Sequence, residues 1–138
     1  MAKQTGLGDY VAVDDSGGSL REISNDVTNL TINQGQATQD ITGIDKSAME
    51  RIALLGDVTL SLNGVFNAAS NLSHAVFSNL SGTRTVTYCV GGNSSSTPKF
   101  TAEVLLDSYT LDRATDGSLT WSVGMSLQSG TVPAWTTV

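Results

Sequence analysis

The stretch Asp57-Val58-Thr59-Leu60-Ser61-Leu62-Asn63-Gly64-Val65-Phe66 alternates apolar and polar residues almost without a break. Val58, Leu60 and Leu62 fall on one face and Thr59, Ser61 and Asn63 on the other, the period of a half-buried β-strand. The period then changes. From Asn71 to Leu80 the residues Leu72, Val76 and Leu80 recur every four, with Phe77 beside them, as on one helical stripe. Ser70 or Asn71 is suited to cap its start, and Gly82 to take the left-handed position after its end. Period two returns in Arg84-Thr85-Val86-Thr87-Tyr88-Cys89-Val90. A helix this short is marginal alone, so its stripe must pack onto a sheet. Strand, short helix, strand is the expected central unit.

The flanking sequence extends the sheet. Asp9 to Val13 reads as a strand, Asp14-Asp15-Ser16-Gly17-Gly18 as a turn, and Leu20 to Ile23 as the returning arm of a hairpin. Val27 to Ile32 alternates again. Phe100, Ala102, Val104 and Leu106 share a face, but the apolar phase resumes at Tyr109 and Leu111, which predicts a β-bulge near Asp107-Ser108. After the Thr115-Asp116-Gly117 turn, Leu119, Trp121, Val123, Met125 and Leu127 alternate with small polar residues. Trp121 is expected to be buried against Leu72, Val76 and Leu80.

Other segments carry less pattern. Residues 1–7 are small and polar and read as a flexible N-terminal segment, and residues 33–56 as a long loop or arm. Polar residues dominate from Asn33 to Thr42, as in a long loop. For Asp45 to Leu55, a helix (Ser47 and Glu50 as a capping box) and an extended arm entering the strand at Val58 are both compatible with the residues. Residues 128–138 read as a C-terminal tail, with Trp135 outside any strand pattern.

A chain of 138 residues fits a single domain over 1–138 that buries roughly two-thirds of its surface. Ser and Thr make up about a quarter of it, a mixture suited to short strands with polar outer faces and tight turns. A net charge of −6 argues against a nucleic-acid-binding surface, which would be basic. Cys89 stands alone, so no internal disulfide framework exists. No apolar run approaches the roughly 18 residues of a membrane span, and no apolar signal region opens the chain, so a soluble protein made in a cytoplasm is expected.

Catalytic chemistry is hard to find. His74, the only histidine, has no partners at a recognisable catalytic or metal-binding spacing and reads as structural or exposed. Cys89 on a strand reads as a small buried residue. Asp14 to Gly18 lacks the alternating ligands and closing Glu of an EF-hand and reads as a plain turn. The Gly-rich stretches lack the Gly-Lys-Ser/Thr of a phosphate loop, and the Asn-x-Ser/Thr sequons are by-products of composition. No catalytic, cofactor-binding or metal site is expected. The sharper reading is a subunit whose sheet edges are covered by copies of itself.

Several stretches in order resemble the major tail tube protein of long, non-contractile-tailed bacteriophages: Thr5-Gly6-Leu7-Gly8-Asp9-Tyr10, Thr42-Gly43-Ile44-Asp45-Lys46-Ser47, Gly56 to Asn67, and Glu103 to Tyr109 with the Asp116-Gly117 turn beyond. The resemblance implies a mainly β, sandwich- or barrel-like tail tube fold with one short flanking α-helix. It implies rings of six stacked into a hollow tube for the genome, with a tape-measure protein, a tail terminator and distal tail proteins as partners, no cofactor and no membrane. Within that picture Thr59, Ser61, Asn63, Thr120, Ser122 and Ser126 are the candidate lumen-facing residues, and Asp9, Asp14, Asp15 and Glu22 are candidate rim charges. Ile41, Ile44, Met49 and Ile52 are the candidate subunit interface. Two alternatives stand beside it. One is the inner tube of a contractile injection system. The other is an adhesion or carbohydrate-binding sandwich, disfavoured because the few aromatics lie mostly at core-facing positions.

Overall fold

A computed structural model describes residues 3–138; Met1 and Ala2, where the expected flexible segment begins, lie outside the described residues. The elements run β1 (Tyr10–Asp14), β2 (Leu20–Glu22), β3 (Val27–Asp40), β4 (Arg51–Val65), α1 (Ser73–Phe77), β5 (Thr83–Cys89), β6 (Pro98–Arg113), β7 (Leu119–Leu127) and β8 (Trp135–Thr137). All strands pair antiparallel in one sheet of order β2-β1-β5-β6-β7-β4-β3, with β8 beside β6. The sheet curls over its own apolar face. Val13 and Val86 from one half share a single core cluster with Leu60, Leu62 and Val123 from the other, and α1 adds Val76 and Phe77.

The alternation in β4 is realised as expected. Val58, Leu60 and Leu62 are buried, while Thr59, Ser61 and Asn63 are exposed. β6 and β7 slip register between Leu106 and Ser108, the expected bulge at Asp107. It returns Tyr109 to the core side, where its ring meets Phe77 and Trp121.

Several expectations are corrected, and one open alternative is decided. Asn33 to Asp40 is not a loop but the continuation of β3, held by its ladder to β4 and not by burial. For Asp45 to Leu55 the extended alternative holds over the helix: 51–55 is strand running into Val58, and residues 41–50 form the turn. The helix is shorter than its stripe. α1 ends at Phe77, Leu80 lies beyond it and is 39% exposed, and Leu72 takes the cap position without a side-chain cap. Ser70 and Asn71 do not cap it. Instead the buried Asp26 carboxylate accepts the Ser73 N–H at 3.1 Å and the Asn67 amide at 3.0 Å. Gly82 is left-handed (φ 86°) but sits in the turn into β5, clear of the helix end. Trp135 does lie in a strand, β8, stacked 5.1 Å from Phe100. The exposed tail finds a partner because β7 stops at Leu127 and leaves the start of β6 unpaired on that side.

Candidate assembly surfaces

Two surfaces stand out. The first is the outer face of β3, β4, β7 and β6. Directly opposed residues on neighbouring strands share a face, so the registers define rows across the sheet. Asn29, Asn63, Ser122 and Thr110 make one row, and Thr31, Ser61, Gly124 and Ser108 the next. Asn33, Thr59 and Ser126 make a third, ending on the half-exposed Leu105. Thr120 pairs with Val65 and with Asp112 at the far end. All six residues expected on this side therefore come together on one face. Sequence reading missed their neighbours Asn29, Thr31, Asn33, Ser108 and Thr110, because neither the register of β3 nor that of the bulged β6 can be read from one strand at a time.

The electrostatics of this face are one-sided. These rows contain no Lys or Arg. Asp57 lies opposite Gly35 on the same side, Asp112 lies opposite Thr120, and Asp107 at the bulge accepts a hydrogen bond from the Ser126 hydroxyl. A shallow cleft lined by Thr28, Asn63, Gly64, Thr110, Asp112, Thr120, Trp121 and Ser122 runs into it.

This four-stranded segment also has two free edges. Among the described residues, β3 pairs only with β4. β6 is bordered by β5 up to Leu105, and from Leu106 to Arg113 its ladder runs to β7 alone. Unpaired strand edges are templates for another chain.

The second surface is the distal hairpin of β3 and β4. Beyond the Gly35–Gly56 level it extends roughly 20 Å at about 3.3 Å per residue. Its turn is pinned by side chains: the Thr42 hydroxyl donates to Asp40 at 2.6 Å, and the Glu50 N–H donates to the same hydroxyl at 2.8 Å. Hydrogen bonds from the Thr42 hydroxyl and N–H hold the Asp40 carboxyl below the ordinary range. Ile44 is fully exposed, Met49 is 57% exposed, and Ile41 and Ile52 are half-exposed. Leu55, 87% exposed, and Leu54 join them. Those two were missed, although Ala53-Leu54-Leu55 places apolar side chains on both faces of one strand. Exposed apolar side chains clustered on one hairpin are the kind of patch that interaction sites present.

The expected rim charges lie elsewhere, towards β1 and β2. Asp9 accepts from the Tyr88 hydroxyl and from the Gly91 N–H at 2.7 Å. Burial, reinforced by Asp9, pushes the Tyr88 phenol up to about 12. Asp15 accepts the Ser19 and Gly17 N–H groups and pairs with Arg21 at 3.0 Å, which together hold its carboxyl low. His74 contacts the Tyr109 hydroxyl at 3.2 Å and the Phe66 ring. Cys89 is fully buried, and burial pushes its thiol up. Among the described residues no three His, Cys, Asp or Glu side chains gather as a metal site, and no helix is long and apolar enough to cross a membrane.

No family model and no curated protein matches the sequence. Solved structures do. The chain superposes with a TM-score of 0.72 on a protein of the tail of an empty gene transfer agent (GTA) particle with C6 symmetry, at 15% identity over 99% of both chains. A chain of the SPP1 tail tube gives 0.73 at 7% identity, over 99% of this chain and 80% of that one. A chain of the six-fold anti-feeding prophage (AFP) baseplate gives 0.66 at 12% identity, over 100% and 98%. Across so little identity, what is shared is the backbone architecture. The chain has the tail tube fold.

Proposed function

We propose that this chain is the structural subunit of a virion tail tube: six copies form a ring, rings stack into a hollow tube, and the genome passes down it. The observation that carries the reading is the four-stranded sheet, which has a polar, acid-only outer face and a free edge on each side. Four is an even number of antiparallel strands. When β3 of one copy meets β6 of the next, the two run in opposite directions and the antiparallel ladder continues unbroken around the ring. Closure removes both of these edges, as in any barrel. The six-fold symmetry of the GTA tail supports six copies, and the polar face then lines the lumen. A tape-measure protein, a terminator and distal tail proteins are the expected partners, with assembly in the host cytoplasm. The likeness to the AFP baseplate chain supports a second reading, the inner tube of a contractile machine, which uses the same surfaces.

In this arrangement Thr59, Ser61, Asn63, Thr120, Ser122 and Ser126 face the passing DNA. Hydroxyl and amide groups hold water, and Asp57, Asp107 and Asp112 repel phosphate, so the polyanion slides without being retained. Ser61→Lys or Ser122→Lys should leave tails of normal length but slow genome delivery, more at low salt, where a larger Debye length leaves the attraction unscreened. Delivery at the wild-type rate from intact tails at low salt would move this face out of the lumen.

The distal hairpin carries the contact between copies. An Ile44→Asp, Leu55→Asp double variant should keep the wild-type melting temperature, because both side chains are exposed in the single chain. It should fail to form tubes by negative-stain microscopy at concentrations where the parent does. Tubes of ordinary length from this variant would make the hairpin a bystander.

A further inference from the structure

The root of the distal hairpin has an unusual construction. Gly35 and Gly56 lie in adjacent cross-strand pairs at the point where the hairpin leaves the body, Gly35 opposite Asp57 and Gln36 opposite Gly56. The register slips directly beyond, between Gln36 and Thr38. Two glycines and an irregular ladder at adjacent pairs leave little to resist bending: each of the two cross-strand pairs lacks one of its side chains, and the hydrogen-bond sequence is interrupted just beyond. Outward from this level the hairpin is exposed and has no contact with the core.

The C-terminal segment lies across this root and touches both strands. Val132 packs against Gly56 so closely that a Cβ built there would stand 2.7 Å from the valine Cγ2. Three residues on, the Trp135 indole N–H donates to the Gln34 side-chain oxygen at 2.9 Å, one residue before Gly35. Trp135 is anchored in turn. Its ring stacks on Phe100, it sits in the β8–β6 ladder, and Val138 exchanges hydrogen bonds with Ser96 and Thr97. A segment fixed to β6 thus bridges to β3 and β4 at the place where they bend most easily.

We propose that Gly35 and Gly56 form a hinge and that residues 128–138 are the strap that sets its angle, with Val132 and Trp135 as positioning residues. In the tube this angle decides where the six exposed aliphatic side chains arrive on the neighbouring copy; that consequence rests on the tail tube reading, whereas the hinge and strap do not.

The experiment therefore reads the angle in the dilute single chain. Spin labels at Ile44→Cys and Ser118→Cys, in a Cys89→Ala background, report the distance from hairpin tip to body by double electron–electron resonance. The parent should give one narrow distance distribution. Val132→Gly with Trp135→Phe should broaden it at least twofold in width while the global melting temperature stays within a few degrees. Gly56→Ala should shift its centre, and Gly56→Ala with Val132→Ala should restore it, because removing the valine methyls makes room for the new Cβ. A parent distribution already as broad as that of the strap variant, or four indistinguishable distributions, would overturn the proposal. Tube formation by the same variants is scored separately. Loss in the single Gly56→Ala variant with recovery in the double supports the angle as the assembly determinant. Absence of tubes from the parent would count against the tail tube reading and leave the distance result standing.

Discussion

Arg84→Met is expected to destabilise the fold by at least about 3 kcal/mol, measured by urea denaturation followed through tryptophan fluorescence. The guanidinium is 1% exposed and has no carboxylate hydrogen-bonded to it. It donates to backbone carbonyls instead: Asp14 at 3.0 Å, Val76 at 2.8 Å, Ser81 at 3.1 Å, and Asn79. These acceptors lie at the end of β1, in α1 and in the turn into β5, so one side chain ties three elements together. Methionine fills similar volume but donates nothing. Each buried carbonyl left without a donor costs about 1–3 kcal/mol, reduced where water can reach it. Lysine should recover only part of the loss, since an ammonium is a compact charge without the planar fork that reaches several acceptors at once. Desolvation lowers the Arg84 pKa, but from a value so high that the charge persists through the physiological range. A loss below about 1 kcal/mol for Arg84→Met would mean that water replaces the guanidinium freely.

Trp121→Ala is expected to cost about 3–5 kcal/mol, the range for removing a large aromatic side chain from a core. Trp121 is 2% exposed, its ring lies 5.2 Å from that of Phe77, and its indole N–H donates to the Val65 carbonyl at 2.9 Å. Gly64 is opposite it in β4, where a Cβ would stand 2.5 Å from the indole and 2.0 Å from the Asp26 carbonyl oxygen. The cavity left by alanine is therefore walled by backbone and by α1, neither of which can collapse far. Trp121→Phe keeps most of the volume but strands the Val65 carbonyl, and should fall between parent and alanine. A change for Trp121→Ala within the range of surface substitutions, about 0.5 kcal/mol, would exclude this packing.

Much of the fold was legible because burial writes a period into the sequence. The buried face of β4, the unbroken β7, the bulge at Asp107 and the Asp116-Gly117 turn all follow from residues that must alternate, slip or adopt a left-handed φ. The polar half of β3 could not be read this way. Asn33 to Asp40 is a strand because β4 offers it backbone partners, and a backbone ladder leaves no mark on side-chain polarity. The tail strand β8 escaped for the same reason. Its partner edge on β6 exists only because β7 ends at Leu127.

By itself the sequence determined which side chains go to the core, and hence that Thr59, Ser61, Asn63, Thr120, Ser122 and Ser126 point away from it, because a period of two is a local property. Only the tertiary structure decided that β4 and β7 are neighbours, so that those six form one face. It alone decided that Arg84 is buried, since its carbonyl partners come from segments as distant as Asp14. Likewise, only the fold brings Val132 and Trp135 to the root of the hairpin. The physical reason is common to all three: pairing, desolvation and contact between distant segments depend on where other parts of the chain arrive, which no local pattern records.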